Sequence, residues 1–370
     1  MRLKMSPPPD FDAGNLLLRE ATEEEKFQSW RNNSAAWKGK LTIEEYIGQQ
    51  AINGNQELTR NGRIRYWIYT DGTTIYTSAE TLQKPVVVRS ADGKVTAEWS
   101  YGVAGVFTPV EFRKHGCASN MMRKLALWLD NDASPCQFTV LWSAVGKFYE
   151  PFGWSIFPTR EAVIPTAPAS FKMKASFMER GQLQPLCDWD TETMTSRMKR
   201  RSLEHSEQIC VAFLPTFAQA EWYFASEEYV ASKLFKKPNR NPTVKGAQSL
   251  DGNVWCYWLH DFNSDKLVIL RLVFRQDSES GDKKQSTLQS LGHILQMARA
   301  EAYNWGLKDV SIWYPDERVI SACRMVLRVE PDVREEIQGN VPCLRWRHNK
   351  WGGGVWNEVL WEYREMYPWC

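Results

Sequence analysis

The stretch Arg113-Lys114-His115-Gly116-Cys117-Ala118 determines how the rest of the sequence is interpreted. An apolar run at residues 101–108 comes before it and predicts a strand, and an amphipathic run at residues 119–129 follows it and predicts a helix. A short glycine-containing turn that leads from a strand into a helix leaves successive backbone N–H groups unpaired at the positive end of the helix dipole. We therefore expect this turn to bind an anion, although an R-x-x-G-x-A pattern also arises by chance.

The overall charge of the chain argues against a polyanionic partner. Its 370 residues include 46 lysines and arginines against 44 aspartates and glutamates, so no excess positive charge would attract a nucleic acid or an anionic membrane surface. No apolar segment is long enough to cross a membrane, and residues 1–9 lack the apolar core of a signal peptide. We expect a cytoplasmic protein of two domains that acts on a small molecule.

The eight cysteines are scattered along the chain and form no C-x-x-C pair. No pair of histidines stands at the spacing of metal ligands either. This pattern is typical of free thiols in a reducing compartment, and we expect no metal site. The sequence carries no signal for the oligomeric state.

Further signals place the opening turn in a larger α/β order. Residues 22–37 and 41–52 predict helices, because each run begins with a threonine followed by acidic residues. Residues 137–142 are fully apolar and predict a buried strand, which a short helix and Gly153 follow. Strands that alternate or are continuously apolar are predicted at residues 16–19, 65–70, 74–78, 85–88 and 95–106.

This order resembles the acetyl-coenzyme A site of the GNAT acyltransferase superfamily. The R-x-x-G-x-A turn stands ahead of Phe148-Tyr149 and Gly153-Trp154 in the same sequence of elements. More narrowly, the chain resembles the fungal lysine N-acetyltransferase family over almost its whole length. The stretches that carry this narrower resemblance are Leu18-Arg19-Glu20-Ala21-Thr22, Ser78-Ala79-Glu80-Thr81, Val106-Phe107-Thr108-Pro109, Lys147-Phe148-Tyr149 and Tyr367-Pro368-Trp369-Cys370.

The second half of the chain repeats part of the order of the first. Proline and alanine are frequent at residues 158–185, which predicts an irregular crossover. Strands at 254–260 and 266–275, a helix at 286–305 that stops at Gly306, and a strand at 310–314 follow. The connection at 276–285 lacks the R-x-x-G-x-A turn, so nothing in it is suited to hold a pyrophosphate.

We therefore predict an α/β protein with two GNAT-like domains and mostly antiparallel sheets flanked by helices. Residues 1–170 would form the catalytic domain that binds acetyl-coenzyme A. Residues 171–370 would form a second domain that lacks the cofactor loop and completes the acceptor pocket. The alternative is that the second domain only supports the first.

The resemblance implies roles for residues that would bind the acyl donor. Backbone N–H groups of the turn would hold the pyrophosphate, and the strand at Val106 and Phe107 would lie beside the pantetheine arm and supply the oxyanion donor. Ser143 would hydrogen-bond the pantetheine amide, or alternatively cap the helix that follows it. The residues assigned to the pyrophosphate are Arg113, Lys114, His115, Gly116, Cys117, Ala118 and Ser119.

The residues that move protons are harder to assign. Tyr149 is where the superfamily often places its general acid, although a packing role is the alternative. The C-terminal carboxylate of Cys370 is a candidate base by analogy with other tandem GNAT-like enzymes, and simple docking of an apolar tail is the alternative. None of the five histidines has a recognisable catalytic setting. Glu80 and Glu111 lie near the site in sequence, and the sequence does not rank them.

The favoured function is transfer of an acetyl group from acetyl-coenzyme A to the amine of a small acceptor, with the N6 amine of free lysine preferred by resemblance. One alternative is an acyltransferase of fungal secondary metabolism that modifies another amine. The other is an acyl-CoA-binding protein without catalytic activity. Loss of the phosphate-binding turn or of Tyr149 would have favoured that last alternative, and both are present.

Overall fold

Two mixed β-sheets with helices packed on their faces form the framework of the chain. The computed structural model describes residues 12–131, 137–169, 174–200, 208–235, 240–275, 281–335, 340–347 and 359–369. The helices are α1 (Glu23–Trp37), α2 (Ile43–Gly54), α3 (Cys117–Asp130), α4 (Arg180–Arg200), α5 (Phe217–Leu234), α6 (Gly281–Trp305) and α7 (Glu317–Ala322). The α/β fold class with two mixed sheets is as the sequence predicts.

The first sheet has the strand order β1-β2-β3-β4-β5-β15-β6, with β9 beside β3 and β16 beside β9. Its pairs are antiparallel except β4/β5 and β9/β16. Three of its strands, β9, β15 and β16, come from beyond residue 200. The strands are β1 (Leu17–Glu20), β2 (Ile64–Thr70), β3 (Ile75–Arg89), β4 (Val95–Phe107), β5 (Phe138–Ser143), β6 (Ser155–Ile156), β9 (Ile209–Phe213), β15 (Val341–Trp346) and β16 (Val359–Trp361).

The second sheet has the order β14-β7-β13-β12-β11-β10-β8. Only β12 and β13 run parallel, and α6 makes the connection between them. The strands are β7 (Glu161–Pro165), β8 (Ala175–Glu179), β10 (Val244–Ser249), β11 (Val254–Asp261), β12 (Lys266–Phe274), β13 (Asp309–Trp313) and β14 (Asp332–Arg334). The division of the chain into domains at residue 170 stays a prediction.

The irregular crossover predicted at residues 158–185 is wrong. Strands β7 and β8 and the start of α4 lie in this region. Pro165 is the last residue of β7, and Pro158 and Pro168 lie outside the strands. Proline is tolerated at strand ends because no ladder hydrogen bond is required from its nitrogen there.

Local chemistry explains where the elements of the first half begin and end. Thr22 and Thr42 each cap a helix, and Glu25 and Glu45 return the bond to the cap backbone, so that both helices start with a complete capping box. In the second half, Gly306 at φ +71° ends α6 in the left-handed region, as the sequence predicts.

The described helices include none with both the length and the apolar character needed to cross a bilayer. Half of the predicted cofactor-free connection at 276–285, residues 276–280, lies outside the described residues, and residues 281–285 belong to the start of α6.

Candidate functional site

Strands β4 and β5, one of the two parallel pairs of the first sheet, separate towards their carboxyl ends. Strands β4 and β5 pair from Tyr101 with Thr139 to Val103 with Leu141. Beyond that point β4 continues to Phe107 and β5 to Ser143 without pairing to each other. The gap opens at the edge of the sheet where the opening turn and the short helix after β5 both begin. Clefts of this kind at the carboxyl ends of parallel strands are common ligand sites.

A β-bulge lies in the pairing of β4 with β3, close to the point where β4 and β5 separate. Phe107 stands opposite Ser78 and Ala104 stands opposite Glu80, so β4 contains one residue more than β3 over this interval. Gly105 adopts φ +60°, which a side chain would disfavour. A bulge leaves a residue outside the ladder of hydrogen bonds. Val106 lies in this unpaired interval, and its oxyanion role stays a prediction.

The predicted anion-binding turn leads into α3 with its N–H groups open. Gly116 is the N-cap of α3 at φ +78°, and no side chain caps the helix. Lys114 also has a positive φ of +68°. Residues 113–116 are exposed, whereas Cys117 is buried beneath them. Ala118 and Ser119 continue the first turn of the helix and are half-buried.

The residues of the turn fit an anionic group. Among the described residues, a Cβ on Gly116 would have only Asn120 and Ala13 near it, at 3.7 and 4.0 Å, so none of them fills the space above this backbone. Arg113 folds back towards β4, where its Nε donates to the Thr108 carbonyl oxygen at 3.0 Å. The turn thus combines an uncapped helix N-terminus with fixed cationic charge.

Tyr149 and Ser143 lie on the other side of the gap. Tyr149 is buried in the short helix Gly146–Phe152, and burial raises its pKa above the usual value. Within the described part of the chain no residue hydrogen-bonds to its hydroxyl, which stays protonated at neutral pH. The Ser143 hydroxyl donates to the Gly146 carbonyl oxygen at 2.8 Å and accepts from the Val145 N–H at 3.1 Å. These bonds form a local turn and do not cap the helix, because its N-cap is Val145 and no side chain caps it; the role of Ser143 towards a ligand stays a prediction.

The structure separates the two glutamates that the sequence could not rank. Glu80 lies directly against the bulge, because a Cβ on Gly105 would be 3.3 Å from its carboxyl carbon. Aromatic side chains from three elements interact with it: Trp30 of α1, Tyr46 of α2 and Tyr66 of β2. Desolvation raises the pKa of Glu80 to about 7, although the Trp30 indole favours the charged form. Glu111, by contrast, is exposed.

The apolar tail docks on the same face of β3 as Glu80. Side chains at alternate positions of a strand share a face, which places Lys84 on the face of Glu80. Lys84 is 1% exposed, and its Nζ donates to the carbonyl oxygens of Pro368 and Trp369 at 2.6 and 3.0 Å. The Tyr223 hydroxyl donates to the Trp369 carbonyl oxygen at 2.7 Å. Cys370, the predicted base, lies outside the described residues.

Comparison with known proteins assigns both halves of the chain. A model described as an acetyltransferase (GNAT) domain matches residues 18–157. A second model, described as the LYC1 GNAT-like C-terminal domain, matches residues 161–370, which is more than half of the chain. The chain belongs to the LYC1-like family of GNAT acetyltransferases. This LYC1-like protein is therefore an acyltransferase, and its resemblance to the fungal family is confirmed.

Curated relatives are fungal. A lysine acetyltransferase of Yarrowia lipolytica is 26% identical over 303 residues, which are 69% of this chain and 75% of the relative. An uncharacterised Saccharomyces cerevisiae protein, YGR111W, is 20% identical over 347 residues, which are 82% of this chain and 84% of the relative.

Solved structures share the fold of this LYC1-like protein. A GCN5-related N-acetyltransferase of Anabaena variabilis superposes with a TM-score of 0.53 at 10% identity, over 90% of this chain and 73% of that chain. Saccharomyces cerevisiae N-myristoyltransferase, solved with myristoyl-CoA, superposes with a TM-score of 0.52 at 7% identity, over 92% of this chain and 80% of that chain.

Proposed function

We propose that this protein transfers the acetyl group of acetyl-coenzyme A to the side-chain amine, N6, of free L-lysine or a closely related amino acid. The Yarrowia lipolytica relative, which carries the name lysine acetyltransferase, supports the choice of acceptor. The observation that carries the proposal is the Glu80 carboxylate, which interacts with aromatic side chains and lies against the bulge of β4.

The donor would bind between β4 and β5 and supply the acetyl group as a thioester. The open N–H groups at the start of α3 would hold its pyrophosphate, with Arg113 and Lys114 adding positive charge. The residues that we assign to the donor are Val106, Phe107, Arg113, Lys114, His115, Gly116, Cys117, Ala118, Ser119 and Ser143.

The acceptor amine must lose a proton before it can attack. At neutral pH only about one lysine side-chain amine in a thousand is uncharged. Aromatic rings attract ammonium groups, and the rings of Trp30 and Tyr66 already do so here, with Lys26 Nζ at 5.3 and 5.4 Å from their centres. Glu80 has a pKa of about 7, so a large fraction of its carboxylate is ionised and ready to accept the amine proton at that pH.

The remaining steps follow from the bulge and from Tyr149. As the nitrogen–carbon bond forms, a backbone N–H beside Val106 stabilises the negative charge on the carbonyl oxygen. As the carbon–sulfur bond breaks, the Tyr149 hydroxyl gives its proton to the departing sulfur, and the extra proton that leaves the new amide nitrogen restores the neutral phenol. The C-terminal carboxylate of Cys370 is the second candidate base. Hydrogen bonds from Lys84 and Tyr223 to the Trp369 carbonyl oxygen support this candidate. They hold the residue before Cys370 on the face of β3 that carries Glu80.

Glu80→Gln, with Glu111→Gln as the matched control, tests the proposal. In a thiol-release assay with acetyl-CoA and a panel of amino acids, polyamines and diamines, we expect lysine to be the best acceptor. The kcat/KM of Glu80→Gln should fall about 100-fold or more. The rise of kcat/KM through about pH 7 should disappear in the same variant. The control Glu111→Gln, at an exposed position, should keep the wild-type kcat/KM and its rise through about pH 7.

A measurement of stability separates the role of Glu80 from a folding defect. Because its pKa is raised in the folded protein, ionisation of Glu80 favours the unfolded chain, and stability falls as pH rises from about 4.5 to about 7. Glu80→Gln should therefore unfold at a higher temperature than the wild type at pH 8 while it turns over more slowly. Unchanged activity in Glu80→Gln would shift the role of base to Cys370. In that case, extending the chain beyond Cys370 should lower kcat in a protein that still folds.

A further inference from the structure

A second cleft opens in the other half of the molecule, where the parallel strands β12 and β13 separate. These strands pair from Lys266 with Asp309 to Ile269 with Ile312. Beyond this point their ends line a cavity of about 610 Å³, and residues 360–365 of the tail form a further wall. This volume lies within the range of small-molecule sites. The position in the sheet corresponds to that of the gap between β4 and β5.

Arginine dominates the charge of this cleft. Five arginines line it against three carboxylates, those of Asp316, Glu362 and Glu365. Two of the arginines are neutralised: Arg271 by Asp190 and Glu365, and Arg318 by Asp316. The arginines of the cleft are Arg197, Arg200, Arg271, Arg318 and Arg364. The cleft therefore carries an excess of positive charge.

Arg364 is the clearest uncompensated cation. One of its N–H groups donates to the Pro158 carbonyl oxygen at 2.8 Å, and its guanidinium lies 4.3 Å from the centre of the Tyr314 ring. No carboxylate among the described residues forms an ion pair with it. Burial lowers the pKa of Arg364, as expected for a desolvated cation without a counterion. Arg200, which is exposed, likewise has no ion-pair partner in the described ranges.

The guanidinium groups are held in fixed orientations before any ligand arrives. Arg318 lies 3.7 Å from the centre of the Phe274 ring, and both its Nε and its Nη2 donate to Asp316. Arg197 donates to the Phe274 carbonyl oxygen at 3.1 Å. Fixed, planar guanidinium groups lose little entropy when they bind the paired oxygens of a phosphate or a carboxylate.

We propose that the cleft between β12 and β13 is a second binding site, which takes a small organic anion carrying two or more negative charges on phosphate or carboxylate groups. The site is separate from the donor cleft between β4 and β5, because its walls are β12, β13, α4 and residues 360–365. Arg364 and Arg200 have no ion-pair partner among the described residues. With Asp190 counted, five arginines face four carboxylates, so the cleft carries one positive charge in excess.

Calorimetric titration of the full-length protein with sodium pyrophosphate and with sodium citrate at low salt tests the site. We expect binding with a Kd below 1 mM, and comparison of the two titrations shows whether phosphate or carboxylate is preferred. Arg364→Met should weaken binding about tenfold, and Arg200→Met a few-fold. Because Arg200 is exposed, Arg200→Met should fold normally, so weaker binding in that variant reports the loss of the charge. Arg324→Met, which alters an exposed arginine outside the cleft, should bind as the wild type does.

The variant Gly116→Trp distinguishes this site from the proposed donor site. If anion binding is lost in Gly116→Trp and kept in Arg364→Met, the anion occupies the turn before α3 and the proposal is wrong. Absence of binding up to 10 mM of either anion would also overturn it. Binding that survives Gly116→Trp and is lost in Arg364→Met supports it, whatever the outcome for acyl transfer.

Discussion

Gly116 is the residue of the turn at 113–118 that should tolerate a side chain least. Its backbone has φ +78° and an open face at the N-terminus of α3, so a large side chain would fill the space through which a pyrophosphate approaches. We expect Gly116→Trp to weaken coenzyme A binding at least 100-fold in a direct titration. Gly62→Trp is the matched control, because Gly62 has φ +75° and nothing within 4 Å of its Cβ position. Equal affinity in both variants would show that the turn is not the donor site.

Glu80 shows why single residues of the acceptor site escape prediction from sequence. It lies on β3, yet the groups that give it chemical meaning come from α1, α2, β2 and β4. No local pattern brings Trp30, Tyr46 and Gly105 together. The turn at 113–118 could be predicted because its function depends on consecutive backbone groups and not on distant side chains.

At the scale of elements, Lys84 of β3 helps to hold the tail, residues 366–369, in place. Lys84→Met keeps the length of the side chain and removes both donors, so that buried carbonyl oxygens of Pro368 and Trp369 lose a partner. We expect a loss of about 1–3 kcal/mol of stability, faster hydrogen exchange in the tail, and a fall in kcat.

Lys94→Met provides the control for this experiment, since Lys94 is exposed in the hairpin between β3 and β4. Hydrogen exchange measured by mass spectrometry should be unchanged in the tail of that variant. If the tail of Lys84→Met exchanges as slowly as that of the wild type, the hydrogen bonds of Lys84 contribute nothing to the position of the tail.

The elements that could be predicted are those with signals in their own sequence. Capping boxes indicate α1 and α2, and continuous apolar residues indicate β5. Strand β15 has no such signal, and Pro342 argues against a central strand. It nevertheless lies between β5 and β6, pairing Pro342 with Trp142. The position of β15 in the sheet depends on contacts with residues far away in the sequence, which a local pattern does not predict.

At the scale of the whole molecule, a buried ion network around His260 of β11 connects helices α5 and α6 of the second half. Its Nδ1 lies 3.1 Å from Glu227 Oε1 and its Nε2 lies 3.1 Å from Glu301 Oε1. Lys245 also contacts Glu227, at 2.9 Å. Burial alone would lower the pKa of His260, but the two carboxylates outweigh burial and raise it.

This network predicts how stability depends on pH. Because the pKa of His260 is higher in the folded protein than in the unfolded chain, its contribution is complete below about pH 6.5 and is lost as pH rises through the folded pKa. His260→Gln should cost about 3 kcal/mol at pH 6 and less at pH 9, as measured by denaturant unfolding. His293→Gln, at a half-buried position on α6, should cost little. A His260→Gln penalty that does not vary with pH would contradict a charged His260.

The placement of β15 between β5 and β6 has a consequence for synthesis on the ribosome. Strands β5 and β6 emerge early, but β15, which joins them, is made only after every strand of the second sheet. At a translation rate of about 5–20 residues per second, the nascent chain waits on the order of 10 to 40 s with two unpaired strand edges. Nascent-chain binding by chaperones should therefore peak in this interval, and separately translated halves would each leave the ribosome with an open sheet.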